Sequence, residues 1–314
     1  MKVTFHFAAG AELAVQLAAQ RARGLDVTIV AEADEAGLMA ALPETDVLWH
    51  VLKPCTAAMI AAAPKLRLIQ KIGVGVNTID LDAARARGIA VCNLPGTNAR
   101  AVAELALALM LAALRRLPAF DAATRAGRGW ALDPAMQDGL GELGGKIVGL
   151  VGYGAIPRAL APVLTALGCQ VIYTARAPHP DAAAAYRSLD ALLSEADIVS
   201  LHVPLEAGTE RMIGKEALAR MRPGAILINT ARGGLVDQPA LTEALRSGPL
   251  AAAGLDVFAA EPADPADPLL ALPNVVLTPH IAWLTSGTFA RSFSIAAENC
   301  RRLAAGEALL HRVA

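Results

Sequence analysis

The hydrophobic and polar positions of the chain follow two patterns that alternate along almost its whole length. Short runs of β-branched and other apolar residues predict strands, and Ala-rich stretches with helical spacing, such as Ala11–Arg23, predict helices between them. The first predicted strands are Lys2–Phe7, Val27–Val30, Val47–Trp49, Leu66–Gln70 and Ile89–Cys92. This alternation indicates a parallel sheet with helices on both faces.

A long predicted helix, Asn98–Arg116, separates this series from a second one. The second series of predicted strands is Ile147–Val151, Gln170–Thr174, Ile198–Leu201, Ala225–Asn229, Ala251–Leu255 and Val275–Thr278. A last helix, Ser286–Ala305, could pack back on the first domain. We therefore predict two α/β domains, with residues 99–285 inserted into a domain made of residues 1–98 and 286–314.

Composition excludes several classes of protein. The 314 residues are enough for about two domains. With 55% hydrophobic and 18% charged residues, the chain is not expected to be disordered. The formal net charge of −1 and the 4% aromatic content argue against a nucleic-acid partner.

The sequence predicts neither a membrane-spanning segment nor a metal site. The longest nearly apolar run, Ala101–Leu114, is shorter than the ~20 residues of a membrane span. His6, Glu12 and Gln16 interrupt what would otherwise resemble a secretory signal. The four cysteines are far apart and form no CxxC pair. We therefore expect a cytoplasmic protein with no bound metal.

A glycine-rich turn follows the predicted strand Ile147–Val151. It reads Gly152-Tyr-Gly154-Ala-Ile-Pro157 and precedes a predicted helix, with Pro157 in the place of the third glycine of a GxGxxG fingerprint. The first glycine permits a tight turn, and the second lets a pyrophosphate approach the backbone at the helix N-terminus. The turn predicts a dinucleotide site, and Pro157 leaves close packing of the helix on the sheet in question.

The end of the next strand bears on the choice of cofactor. NAD enzymes of this type place an acid roughly 20 residues after the turn to bind the ribose hydroxyls. Here the expected position is Ala175, and Arg176 follows it. An absent acid beside a cation favours NADP, with NAD as a possible second cofactor; the alternative is that Arg176 is an ordinary surface residue.

Three further segments place polar residues after predicted strands, where open α/β sheets bind ligands. These segments, Asn229–Asp237, Gly254–Pro262 and Thr278–Trp283, contain Arg232, Glu261 and His280 respectively. Together with Gly73–Asp80 and the glycine-rich turn, they resemble the D-isomer-specific 2-hydroxyacid dehydrogenase family. The resemblance extends from about Leu66 to Val313.

The resemblance implies a fold, a reaction and a set of site residues. The fold is two Rossmann-like doubly wound domains, a flavodoxin-like substrate-binding domain and an inserted NAD(P)-binding domain, usually in a homodimer. Arg232 would clamp the substrate, Glu261 would support His280, and the backbone of Val74 and Gly75 would hold the substrate carboxylate. The residues implied to bind cofactor are Gly152, Gly154, Ala155, Ile156, Ala175, Arg176, Thr230, Ala231, Arg232, Asp256, His280 and Trp283.

The chemistry of these side chains agrees with that reaction. Reducing a ketone needs a proton on oxygen as hydride reaches carbon, and a histidine can supply it near neutral pH. A neighbouring carboxylate favours the imidazolium, and an arginine can bind a carboxylate through two parallel hydrogen bonds.

Some positions leave more than one interpretation open. Leu105 stands where many members of the family have His, and the phosphoglycerate branch also tends to have Leu there. His202 is expected either beside the cofactor or in a capping or packing role. His50 and Lys53 either face the substrate or are ordinary loop residues.

The sequence therefore predicts an NADP-preferring reductase of a small 2-keto acid such as glyoxylate or hydroxypyruvate. One alternative is a phosphoglycerate dehydrogenase, which the segment Gly96–Leu105 resembles. Against it, the sequence contains no clear cation cluster for a substrate phosphate, and no regulatory domain is expected at the C-terminal end. The other alternative is a dinucleotide-sensing corepressor without catalysis, which the joint presence of Arg232, Glu261 and His280 disfavours.

Overall fold

The computed structural model describes residues 1–130 and 139–314. In chain order the strands are β1 (Lys2–His6), β2 (Asp26–Val30), β3 (Val47–His50), β4 (Leu68–Lys71), β5 (Ala90–Cys92), β6 (Ile147–Val151), β7 (Gln170–Thr174), β8 (Ala185–Tyr186), β9 (Ile198–Leu201), β10 (Ala225–Asn229), β11 (Leu250–Leu255) and β12 (Val275–Leu277). The helices are α1 (Ala11–Ala18), α2 (Glu35–Ala41), α3 (Ala57–Ala61), α4 (Leu81–Ala86), α5 (Ala99–Leu114), α6 (Leu117–Arg125), α7 (Ala155–Ala166), α8 (Leu189–Glu195), α9 (Lys215–Arg220), α10 (Gln238–Arg246) and α11 (Ser286–Ala305).

The chain folds into two compact units. Unit 1 consists of Met1–Asn98 and Leu284–Ala314, and unit 2 consists of Ala99–Trp283. The chain returns to unit 1 at Leu284, two residues before the boundary that was predicted from the sequence. Each unit has its own sheet, in which neighbouring strands are parallel.

The sheet of unit 1 has the order β2-β1-β3-β4-β5, the flavodoxin-like order. The last helix, α11, packs on this sheet through aromatic side chains. Phe293 of α11 stacks on the fully buried Trp49 of β3 with 5.3 Å between ring centroids, and Phe5 of β1 meets Phe293 edge-on at 5.7 Å. Unit 1 is therefore completed by a segment that is remote in sequence.

The sheet of unit 2 has the order β12-β11-β10-β9-β6-β7-β8. The chain runs outward from β6 to β8 on one side and continues from β9 to β12 on the other. The point where the direction reverses lies between β6 and β9, and such a point forms the ligand crevice in doubly wound sheets. The glycine-rich turn follows β6 directly at this crevice.

The predicted fold class is confirmed, and several predicted elements have the observed bounds. These are the strands β6, β7, β9 and β10 and the helix α11. The helix predicted over Ala11–Arg23 is instead α1 followed by a 3₁₀ segment at Ala19–Arg23. The two-residue strand β8 and the helix α6, which has no buried residue, were not predicted from the sequence.

Candidate active site

The glycine-rich turn of unit 2 has the backbone that a bound pyrophosphate requires. Gly152 has φ +99°, and a Cβ there would lie 2.9 Å from the carbonyl oxygen of His202, so no side chain fits. Gly154 is the N-cap of α7, and a Cβ built on it would meet nothing within 4 Å. The first N–H groups of α7, from Ala155 and Ile156, have no intrahelical acceptor and lie beside this open space.

Pro157 does not prevent α7 from packing closely on the sheet. It is buried as the third residue of α7, where a missing N–H removes no helix hydrogen bond. Leu160 and Leu164 of the same helix are at most 1% exposed and belong to the core that contains β6 and β7. The packing that the sequence left in question is therefore present.

Two buried polar atoms at the carboxyl ends of neighbouring strands have no hydrogen-bond partner within the described residues. They are Oγ1 of Thr230, after β10, and Nδ1 of His202, after β9. The other ring nitrogen of His202 lies 2.9 Å from Oγ of Ser200, and burial lowers the pKa of His202 to about 3. Unsatisfied buried groups of this kind need a partner, and a polar ligand at the crevice would supply it. With the glycine-rich turn, these atoms fit a dinucleotide.

The cation predicted to influence cofactor choice is available in the structure. Ala175 directly follows β7 and is half-buried, and Arg176 is exposed. Across residues 1–130 and 139–314, no acceptor for the Arg176 guanidinium is found. Within that part of the chain, the position therefore has a free cation and lacks a carboxylate.

Arg232 is held by a local turn and by a close approach of two loops. The side chain of Asn229 accepts from the N–H of Ala231 at 3.0 Å and donates to the carbonyl of Arg232 at 2.9 Å. A Cβ on Gly233 would lie 1.9 Å from the backbone of Phe258, so only glycine lets the loops after β10 and β11 touch. Neither Asn229 nor Gly233 was predicted, although Asn at a strand end is a recognised turn signal.

The Arg232 guanidinium is half-buried and lies near Glu261, another of the predicted catalytic residues. Nη1 donates to the carbonyl of Ala231 at 2.7 Å. Burial lowers the pKa of Arg232, whereas the nearby charge of Glu261 acts to raise it. The guanidinium and this carboxylate are thus close enough to interact electrostatically.

His280 and Glu261 form the predicted pair. Nδ1 of His280 lies 2.7 Å from Oε2 of Glu261, and the N–H of Phe258 donates to Oε1 at 3.0 Å. No described residue accepts from or donates to Nε2 of His280, whose side chain is 25% exposed. Burial tends to raise the pKa of Glu261, but the bonds from His280 and Phe258 and the charges of His280 and Arg232 bring that pKa below its ordinary value. The imidazole is thus oriented by an ionised carboxylate and presents one free nitrogen.

Asp256 holds the loop that carries this histidine, a role that the sequence alone did not indicate. Its carboxylate is fully buried and accepts three hydrogen bonds, from Oγ1 of Thr278 at 2.7 Å and from the N–H groups of Ile281 at 2.8 Å and Ala282 at 2.9 Å. The Asp256 carbonyl accepts the N–H of His280 at 2.8 Å. Burial raises the pKa of Asp256, and the three hydrogen bonds oppose that rise.

Trp283 also supports the histidine from behind. Its indole N–H donates to the carbonyl of His280 at 3.0 Å, and its side chain is largely buried. Asp256 and Trp283 were predicted to line the cofactor. In the structure both bind the segment around His280, whose φ of +55° is uncommon for a residue other than glycine.

The predicted carboxylate anchor belongs to unit 1. Val74 and Gly75 follow β4, and within the described residues neither N–H has an acceptor. The turn is fixed from the other side, since Gly73 accepts from the N–H of Leu94 at 2.8 Å and Val74 accepts from the side chain of Asn93 at 2.9 Å. These contacts leave two N–H groups available for an anion.

His50 and Lys53 are both engaged in contacts within unit 1. His50 is fully buried, with Nε2 2.8 Å from the carbonyl of Lys53 and Nδ1 3.5 Å from Nζ of Lys71. The amine of Lys53 is bound to Glu35 at 2.7 Å. Nζ of Lys71 also donates to Oγ1 of Thr78 at 3.3 Å. Lys53 therefore agrees with an ordinary loop role, whereas His50 is a buried residue of β3.

Neither a membrane-spanning helix nor a metal cluster is found in the described part of the chain. No helix there is long and apolar enough to cross a membrane. No group of three His, Cys, Asp or Glu side chains among residues 1–130 and 139–314 could hold a metal ion. All four cysteines are buried and unpaired.

Comparison with known proteins identifies the family. The sequence model described as "D-isomer specific 2-hydroxyacid dehydrogenase, NAD binding domain" matches residues 107–282, all within unit 2. The chain is also 41% identical to the glyoxylate reductase of Aeropyrum pernix, over 86% of this chain and 83% of that protein. The chain belongs to the D-isomer specific 2-hydroxyacid dehydrogenase family. The resemblance found in the sequence is thereby confirmed.

Other relatives match this chain at similar identity but differ in how much of their own length is covered. The D-3-phosphoglycerate dehydrogenase of Mycobacterium leprae is 43% identical over 87% of this chain, but the match covers only 52% of that protein. The chain thus spans about half the length of the phosphoglycerate dehydrogenases that it matches. The TT0316 protein from Thermus thermophilus has 40% identity and a TM-score of 0.90, with 100% of both chains covered.

The buried His50 should make this member of the family sensitive to acid. Burial and the charge of Lys71 lower the pKa of His50 to about 3, so below its ordinary pKa of 6.5 the unfolded chain takes up a proton that the folded chain refuses. The free energy of unfolding should therefore fall between pH 6.5 and about 3, by about 1.4 kcal/mol per pH unit from this group. Urea denaturation of wild type and His50→Gln at pH 7, 6 and 5 measures it. A stability difference between the two proteins that stays constant with pH would contradict this effect.

Proposed function

We propose that this chain is an NAD(P)-dependent reductase of small 2-keto acids, of the glyoxylate or hydroxypyruvate type, which oxidises the D-2-hydroxy acid in reverse. The observation that carries the proposal is the His280–Glu261 pair, with one imidazole nitrogen free, beside Arg232 and on the unit that contains the glycine-rich turn.

Each residue has a defined task in this reaction. When bound, the nicotinamide supplies the hydride. His280 gives the proton at Nε2 to the keto oxygen, and Glu261 stabilises the imidazolium through Nδ1. Arg232 binds the carboxylate and orients the keto group.

The substrate class is supported by the relatives and by the loop after β3. Glyoxylate reductase from Aeropyrum pernix is matched over most of its length. The similarity to phosphoglycerate dehydrogenase favours the alternative substrate, a phosphorylated acid. Such a substrate needs free cations, whereas the Lys53 amine is already bound to Glu35 and burial keeps His50 neutral.

A panel of 2-keto acids decides between these functions. NADPH consumption should be faster with glyoxylate or hydroxypyruvate than with phosphohydroxypyruvate. Preference for the phosphorylated acid would assign the phosphoglycerate reaction. No turnover with any acid, together with cofactor binding, would support a dinucleotide-sensing protein without catalysis.

Exposed apolar residues on unit 2 support a homodimer. The helix α6 buries none of its residues, and Trp130 beyond it is 84% exposed. Large exposed apolar side chains of this kind often mark a protein interface. Light scattering on the purified protein would test the oligomeric state.

The four unpaired cysteines agree with a reducing compartment, and we place the protein in the cytoplasm.

Removing the charge of Glu261 should move the pH optimum of reduction. In Glu261→Gln the imidazolium of His280 loses its anionic partner, so a higher proton concentration is needed to keep the ring charged and the optimum shifts to lower pH. His280→Ala should reduce kcat by about 10²- to 10⁴-fold. Glu243→Gln, on the exposed face of α10, is the control. A pH profile in Glu261→Gln that matches wild type would rule out the pairing.

Arg232 should not be replaceable by lysine. An ammonium cannot make two parallel hydrogen bonds to a carboxylate. Losing one charge-assisted bond is worth about 1.5–3 kcal/mol, so kcat/KM for the keto acid should fall by roughly ten- to a hundredfold in Arg232→Lys. Arg246→Lys, at the exposed end of α10, is the matched control. Near-native kcat/KM in Arg232→Lys would show that the clamp lies elsewhere.

The cofactor preference should follow from Ala175 and Arg176. With no acid to repel a 2′-phosphate and a free cation to attract it, kcat/KM should be higher for NADPH than for NADH, by up to about tenfold because Arg176 is exposed and screened. The difference should shrink at high salt, and Ala175→Asp with Arg176→Ala should reverse the order. A wild-type preference for NADH would refute this assignment.

A further inference from the structure

The loop that carries Arg176 is surrounded by an unusual concentration of aromatic rings. The chain has three tyrosines, and all of them lie here: Tyr153 in the glycine-rich turn, Tyr173 in β7 and Tyr186 in β8. The rings of Tyr153 and Tyr173 are 4.2 Å apart, and Tyr186 meets Tyr173 edge-on at 5.7 Å. His179, within the loop, lies 5.8 Å from Tyr153. These rings contact one another and form a support for the loop.

Polar contacts from Tyr173 and from Arg158 tie the far end of the loop to this support, and one of them joins Nη2 of Arg158 to Nδ1 of His179 at 3.3 Å. The hydroxyl of the buried Tyr173 accepts the backbone N–H of His179 at 2.7 Å. The guanidinium of Arg158, in the first turns of α7, binds both carboxylate oxygens of Asp181, at 2.6 and 3.2 Å. Arg158 itself lies over the ring of Tyr153, 5.2 Å from its centroid. The segment from Ala175 to Asp181 is thus fixed by β7 at one end and by these contacts at the other.

These contacts do more for the shape of the loop than for overall stability. The side chains of Arg158 and Asp181 are 37% and 68% exposed, and ion pairs this exposed stabilise a fold by little. Pro178 and Pro180 lie between the tied ends and restrict φ within the segment. Arg176 therefore projects from a backbone that is restrained at both ends, so a ligand needs to supply less of the ordering free energy.

We propose that Asp181 and Tyr173 are positioning residues for cofactor choice: they hold the Ala175–Asp181 loop so that Arg176 meets the 2′-phosphate of the adenine ribose. Neither touches the phosphate. This inference rests on the NADP preference proposed above and names the residues that make a screened, exposed cation effective. Loss of either contact should weaken recognition of the 2′-phosphate and leave recognition of the rest of the nucleotide unchanged.

Binding of two small nucleotides to the purified protein tests the inference without catalysis. Calorimetry gives the Kd of 2′,5′-ADP, which carries the 2′-phosphate, and of 5′-AMP, which lacks it. In Asp181→Ala and in Tyr173→Phe the preference for 2′,5′-ADP should fall by about three- to tenfold, part of the ordering free energy of one residue. The Kd of 5′-AMP should stay within about twofold of wild type, and the NADPH-to-NADH ratio of kcat/KM should fall in parallel.

Control variants separate positioning from general effects. Asp190→Ala removes another exposed acid of unit 2, one that pairs with Arg220 at 3.6 Å, and should leave the preference unchanged. Because Tyr173 is buried, Tm is measured for each variant; the exposed Asp181 keeps the test valid if Tyr173→Phe unfolds.

The possible outcomes distinguish the two proposals. A wild-type protein that binds 5′-AMP as tightly as 2′,5′-ADP would refute the NADP preference itself. A wild-type preference that survives in Asp181→Ala and in folded Tyr173→Phe would refute only the positioning role. Tighter binding of 2′,5′-ADP by Asp181→Ala would also refute it, since Asp181 would then be competing with the phosphate for Arg158.

Discussion

The buried carboxylate of Asp256 fixes the geometry on which the rest of the candidate active site depends. Its three hydrogen bonds join the end of β11 to the segment after β12, and its carbonyl takes the N–H of His280. A buried, unpaired carboxylate would be strongly unfavourable. The same bonds that offset this cost hold His280 at a positive φ, so the uncommon backbone is maintained by the packing around it.

Asp256 and Glu261 belong to one short segment, but their different surroundings give them different roles. Asp256 lies in the core, where burial raises its pKa and its carboxylate is bound by groups of its own unit. Glu261 lies at the edge, where bonds from His280 and Phe258 keep its pKa low in spite of burial. The first acid shapes the loop and the second acts on the imidazole. Their sequence segment alone does not separate these roles.

The sequence predicts well what depends on local pattern. Strands such as β6 and β10 are buried on both faces and stand out as apolar runs. Because the strands are parallel, Arg232 and His280, which follow two of them, both lie at the carboxyl ends of the strands. Features that depend on tertiary contact were not predictable. The approach of Gly233 to Phe258 and the burial of His50 beside Lys71 depend on which segments meet, which periodicity does not encode.

The glycine-rich turn shows why a fingerprint should be interpreted by the contact that each position serves. Gly152 is required twice over, by its φ of +99° and by the carbonyl of His202 against its Cα. Gly154 is required only if a ligand occupies the open space beside it. The third position faces the sheet, and Pro157 fills it without loss because its ring is buried and its missing N–H lies in the first helical turn. A departure at that position therefore says little about the ligand, whereas a side chain at Gly154 would intrude on the space where the phosphate is expected.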